Sequence, residues 1–113
     1  MLGYITHSDC LDHDTGDLHP DTGERLDAIS NQLIMSGLDY VLLRHDAPKA
    51  TREQLLRVHT GAHVDRVFEM APNDHSVEID GDTVMSPGTL DAALRSAGAG
   101  VLGVDLVMSG AAN

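Results

Sequence analysis

No tryptophan occurs in this chain, and phenylalanine and tyrosine together supply only 3% of its 113 residues. Without large aromatic anchors the core must be assembled from Leu, Val, Ile, Ala and Met, which fill space in smaller pieces. Cys10 is the only cysteine, which excludes an intrachain disulfide and any Cys-rich zinc module and fits a reducing compartment. Basic side chains are also scarce, seven against eighteen acidic, for a formal charge of −11. Such a chain repels phosphate backbones and anionic lipid, so nucleic acid is not an expected partner. Cationic ligands such as lysine side chains or polyamines are favoured, although acidity of this kind also serves solubility alone. Nowhere do eighteen apolar residues follow one another, and Met1 to Thr6 lacks the basic and apolar segments of a secretion signal. The expectation is a cytoplasmic protein with no membrane contact.

What is present reads as one domain at most. Hydrophobic residues at 42% and charged residues at 22% are ordinary for a globular chain. Leu2 to Thr6 is short, apolar and partly β-branched and predicts a strand; His7 to Asp21 predicts a long polar loop. Thr22 or Asp21 is placed to cap a helix carrying Leu26, Ile29 and Leu33, with Gly37 as its stop. Tyr40 to Leu43 predicts a second strand, apolar enough to be buried on both faces. Thr51 with Gln54 is a capping-box pattern opening a short helix, and a second short helix from Ala62 aligns Val64, Val67 and Phe68 before Pro72.

Pro72 to Asp82 predicts a polar, acidic loop, and Ser86 with Pro87 reads as the start of a helix. The strongest periodic signal follows: Leu90, Ala93, Leu94, Ala97, Val101, Val104 and Val107 trace one face over some five turns. Gly98, Gly100 and Gly103 inside that helix each cost roughly 1 kcal/mol against Ala, which makes sense where another backbone packs closely. Strands alternating with helices imply parallel βαβ units, but two strands are too few for a covered sheet. The chain therefore reads as a piece of a larger α/β domain.

Between His7 and His19 lie three imidazoles, four carboxylates and a thiol: His7, Asp9, Cys10, Asp12, His13, Asp14, Asp17 and His19. That density invites a metal site, yet zinc needs three or four ligands converging at about 2.0 to 2.3 Å, and no framed spacing such as His-Glu-x-x-His occurs. A solvated polar loop is the competing reading. No nucleophile elbow surrounds Ser8, Cys10 or Ser86, and Gly81, Gly88, Gly98 and Gly100 form no phosphate-binding loop.

Four signatures nevertheless stand in a fixed order. They are His7-Ser8-Asp9-Cys10 with His13, His19-Pro20 with Glu24-Arg25-Leu26, Val58-His59 with Val64, and Asp80-Gly81-Asp82-Thr83 before Ser86-Pro87-Gly88-Thr89. Together they resemble the N-terminal third of the histone deacetylase superfamily, in the branch that includes acetylpolyamine amidohydrolases and acetoin-utilisation proteins. The resemblance implies residues 1–113 of an arginase/deacetylase-like three-layer α/β fold with a parallel sheet, mostly helical in this piece. It implies hydrolysis of acetyl-lysine or acetylpolyamine amides by a complete protein that uses zinc. The zinc ligands, two Asp and one His, and the catalytic histidine lie beyond this segment in the family, so neither bound metal nor activity is expected of these residues alone.

Support roles carry over one residue at a time. Arg25 matches a family arginine beside an inner channel suggested to remove acetate, where a buried guanidinium would bind the anion; the alternative is a surface ion pair with Glu24 or Asp27. Tyr4 is expected in the core, or facing the same channel. His19 and Pro20 match the mouth and wall of the active site, although Asp21-Thr22-Gly23 departs from the family's common Glu-Arg-Pro. Asp80 and Asp82 match the loop that offers a carboxylate to the substrate's backbone amide, or to a second ammonium, with Asp80 favoured; turn formation at Asp80-Gly81 is the alternative. Two rival readings remain. One is a free-standing α/β domain that binds or self-associates into a homo-oligomer through its exposed apolar surface. The other is a metal-binding module built on the His7 to His19 loop.

Overall fold

The computed structural model describes residues 1–113. Strand β1 (Leu2–Thr6) pairs in parallel with β2 (Leu42–Asp46), from Leu2 opposite Leu42 to Thr6 opposite Asp46. A parallel pair requires a crossover, and helix α1 (Glu24–Met35) supplies it. Gly37, at φ +77°, takes the left-handed conformation that ends α1 and lets a 3-10 turn over Leu38–Val41 lead into β2.

Helix α2 (Arg52–Leu55) opens on the expected capping box: the Thr51 hydroxyl accepts the Gln54 N–H, and the Gln54 side chain accepts the Thr51 N–H. Thr60 caps α3 (Gly61–Met70) by accepting the His63 N–H, and Val64 is buried beneath it. The antiparallel pair β3 (Val77–Asp80) and β4 (Thr83–Met85) follows, before helix α4 (Thr89–Met108). About half the residues, 49%, are helical, so helix outweighs strand in an α/β arrangement.

Helix α4 organises the rest. It packs against β1, where Ile5 reaches toward Gly103, and against a 3-10 turn over Ser8–Asp12. At Gly98 the β2–α2 loop comes closest: a side chain there would run into the Pro48 carbonyl, with its carbon at 2.7 Å and the Ala50 nitrogen at 3.0 Å. The Ala50 N–H donates to the Leu94 carbonyl across this contact at 2.9 Å. The expected close backbone approach is thus met at Gly98, whereas a side chain at Gly100 would meet open space.

Five local expectations are corrected. The second strand begins at Leu42, because Leu38–Val41 winds into the 3-10 turn, and Tyr40 points to solvent at 90% exposure. Nor is β2 buried on both faces, since Leu43, Arg44 and Asp46 are exposed. Helix α1 has no side-chain cap; Gly23 stands at that position. The acidic loop after Pro72 contains the β3–β4 hairpin, which alternates Val77 and Ile79 with exposed Glu78 and Asp80. Finally, α4 starts at Thr89, and Ser86 lies outside it.

Candidate functional site

Three segments meet at the N-terminal end of α4: the 3-10 turn with the loop behind it, the β3–β4 hairpin, and the Ser86–Thr89 turn. Ser86 is buried, and its hydroxyl accepts the Asp14 N–H at 3.0 Å while lying 3.3 Å from the Asp12 carbonyl. Thr89 accepts the Ser86 N–H at 2.8 Å, turning the chain into the helix. Both hydroxyls satisfy backbone groups that would otherwise be sequestered without partners.

His13 reaches this hub. Its Nδ1 lies 2.7 Å from the Thr89 hydroxyl and its Nε2 lies 3.2 Å from Asp21 Oδ2. An ionised carboxylate only accepts, so Nε2–H donates to Asp21, and in the neutral ring Nδ1 accepts from Thr89. His19 is defined in the same way. The Asp21 N–H donates to its Nδ1 at 3.0 Å, and its Nε2–H faces the Asp82 carbonyl at 3.1 Å and Asp82 Oδ1 at 3.3 Å. Asp21 therefore joins both imidazoles, and its backbone carbonyl also accepts the Thr15 hydroxyl at 2.6 Å.

Asp80 and Asp82 share one turn but differ in use. Asp80 Oδ1 accepts the Asp82 N–H at 2.9 Å. That bond, joined by the Thr83 hydroxyl, holds the Asp80 carboxyl below its usual range. The turn-forming reading of Asp80 is thus realised. The Asp82 side chain is 95% exposed and keeps lone pairs free beside His19.

Arg25 lines a cavity of about 320 Å³ with Cys10, His13, Asp21, Leu26 and Ser96. Its guanidinium is 58% exposed and lies 3.7 Å from Asp21, so it pairs with neither Glu24 nor Asp27 and is not buried in this chain. Tyr4 lines a different cavity, of about 190 Å³, with Leu11, Leu26 and Asp27, and Arg44 sits 5.1 Å from its ring centre. Pro20 is exposed beside His19. Burial first, then the Asp9 carboxylate, pushes the Cys10 thiol up, away from a reactive thiolate.

The metal-module reading finds no support in this geometry. His7 caps its own 3-10 turn by accepting the Asp9 N–H, while His13 and His19 are committed as described. No three His, Cys, Asp or Glu side chains converge on a point that could hold a metal ion, so the residues present do not fit the zinc of the implied family.

Sequence reasoning passed over Arg95, which joins three elements from the middle of α4. Its Nε donates to Asp9 Oδ2 at 2.9 Å and its Nη1 to the Ala47 carbonyl at 2.9 Å. The available signal was the single basic side chain on the long helix. Ser86 was read as a helix start and Thr89 only as part of an ordered signature, and neither as the hub of the loops.

The chain is similar to known proteins in sequence and in fold. A family model described as the histone deacetylase domain matches residues 19–113. A protein of Archaeoglobus fulgidus named "Probable deacetylase" is 33% identical over 113 residues, covering 96% of this chain and 30% of that protein. The histone deacetylase-like amidohydrolase of Pseudomonas aeruginosa is 33% identical over 94 residues, covering 83% of this chain and 24% of its own length. In three dimensions the chain matches the crystal structure of the HDA15 HD domain with a TM-score of 0.85 at 24% identity, over 97% of this chain and 33% of that one. It spans about a third or less of the length of the curated relatives it matches. The matched residues take in His19, the hairpin and all of α4, and this chain belongs to the histone deacetylase family, with the fold of part of that domain.

Proposed function

We propose that residues 1–113 form entrance loops and part of the inner wall of a deacetylase domain that hydrolyses acetylated lysine or acetylpolyamine amides. The catalytic residues and the zinc that the family implies would come from the remainder of the complete protein. The observation that carries this reading is the convergence of the His13–His19 loop and the Asp80–Asp82 turn on the start of α4. An acidic margin of this kind attracts the cationic groups that lysine peptides and polyamines carry. In support, an open groove of about 750 Å³ beside it is lined by Asp12, Asp14, Asp17, Glu24 and Asp27.

Within that reading Asp82 accepts the substrate's backbone N–H groups or faces a second ammonium, with Asp80 shaping the turn. His19 and Pro20 form the adjoining wall. Arg25 and Tyr4 line the interior route for acetate in the complete protein, from the two separate cavities they border here. The test is acetate release by the complete, zinc-loaded protein from an acetyl-lysine peptide and an acetylpolyamine. Asp82→Asn is expected to raise KM by roughly tenfold or more, the cost of a hydrogen bond to a charged group. Failure to hydrolyse either substrate class would overturn the reading.

A second reading has an observation of its own. Leu2, Ile34, Met35, Val104, Val107 and Met108 are all more than half exposed. A binding or self-associating domain would use that apolar surface for a second copy of itself.

A further inference from the structure

We infer that His19 is a positioning residue which holds the Asp82 carboxylate at the substrate entrance by tying the Asp80–Asp82 turn to the loop from His7. The inference rests on the substrate role proposed for Asp82. Both ring nitrogens of His19 are committed in opposite senses, Nδ1 accepting the Asp21 N–H at 3.0 Å and Nε2 donating toward Asp82. The neutral tautomer with the proton on Nε2 follows, because both Asp82 oxygens can only accept. The ring is 22% exposed against 95% for the Asp82 side chain, so a sheltered donor steadies an exposed acceptor. The β3–β4 pair is a sheet of two strands only, and such a hairpin is marginally stable without contacts from outside it. The link from His19 to the Asp82 carbonyl at 3.1 Å fixes the base from which that carboxylate projects.

Two amides separate the halves of this arrangement. In His19→Asn the shorter amide can take the place of Nδ1 and keep the local turn by accepting the Asp21 N–H, but it cannot reach Asp82. In His19→Gln the longer amide can take the place of Nε2 and donate to Asp82. Backbone amide exchange over Gly81 to Val84 is measured on the 113-residue chain, and KM and kcat on the complete zinc-loaded protein. His19→Asn is expected to speed hairpin exchange about tenfold and raise KM about tenfold with kcat within about twofold, the scale of one lost hydrogen bond to a charged group. His19→Gln is expected to restore both.

Unchanged hairpin exchange in His19→Asn would overturn the inference, since His19 would then serve only its own turn. So would faster exchange with unchanged KM while Asp82→Asn still raises KM, an outcome that leaves the role of Asp82 standing. If Asp82→Asn itself leaves KM unchanged, the substrate reading fails and the positioning role falls with it.

Discussion

Arg95 shows how much of this fold depends on one side chain. At 23% exposure it holds the Asp9 carboxylate and the carbonyl of buried Ala47 together, joining the 3-10 turn, α4 and the end of β2. Arg95→Met is expected to cost about 1–3 kcal/mol, read from urea unfolding, because it strips the partner from a buried carbonyl. The ion pair also sets a pH dependence. The Arg95 hydrogen bond, helped by His7, holds the Asp9 carboxyl below its usual value of 3.8. Above that value Asp9 is ionised whether the chain is folded or not, and the stabilisation is complete. As pH falls below it the unfolded chain takes up the proton first, so stability declines until the folded carboxyl protonates as well. Urea midpoints measured from pH 6 to pH 3 should fall in the acid limb, and Arg95→Met should flatten the part due to Asp9. An equally steep limb in the variant would contradict this account.

At the scale of elements, α4 was the most legible part of the chain, because seven apolar residues at helical spacing leave no other regular conformation that sets them on one face, although Val104 and Val107 on that face stay more than half exposed. Its glycines were not equivalent, and no pattern could separate them. Gly98→Ala is expected to destabilise by about 1–3 kcal/mol or more, since the added carbon must displace the Pro48 backbone. Gly100→Ala meets open space and should stabilise by about 0.5–1 kcal/mol through helix propensity. Thermal or urea melts of the two variants should therefore move in opposite directions. The β3–β4 hairpin was illegible for a different reason. Strands of four and three residues with an irregularity between Glu78 and Asp80 are too short for their alternation to stand out from a polar loop. The shift of β2 by two residues is of the same kind: Tyr40 and Val41 have strand propensity, but Gly37 places them in a 3-10 turn.

For the whole molecule, shape and surface agree. The chain is a slab of 40 × 33 × 20 Å with a radius of gyration of 15.6 Å, against about 13 Å for a compact domain of this length. Its accessible surface is 7541 Å², where a closed 12.0 kDa monomer would expose about 6,000 Å². An excess of roughly 1,500 Å² on one chain is about twice the roughly 800 Å² that a standard interface removes from each partner. Only eight of the 113 residues are buried, and the two-stranded parallel sheet leaves both outer edges unpaired, so the core is open. Sedimentation of the 113-residue chain at tens of micromolar is expected to show dimers or larger species, and a dye that binds apolar surface should light up with the folded chain. A strictly monomeric species with cooperative unfolding would show that the piece closes on itself. No helix is both long and apolar enough to cross a membrane.

The sequence alone determined what depends on local chemistry and on order along the chain. The capping box at Thr51 and the left-handed stop at Gly37 are read from neighbours a few residues apart, and the parallel pairing and the family from the order of strand, helix, strand and of the His-Pro, Arg-Leu and Ser-Pro-Gly-Thr signatures. Tertiary structure decided which polar groups meet. His19 finds Asp82 across 63 positions, His13 finds Thr89 across 76, and Arg95 finds Asp9 across 86. Separations of that size carry no periodicity to read. A hydrogen bond is made only where packing brings donor and acceptor within about 3 Å, and here that packing is the seating of three loops on the start of α4.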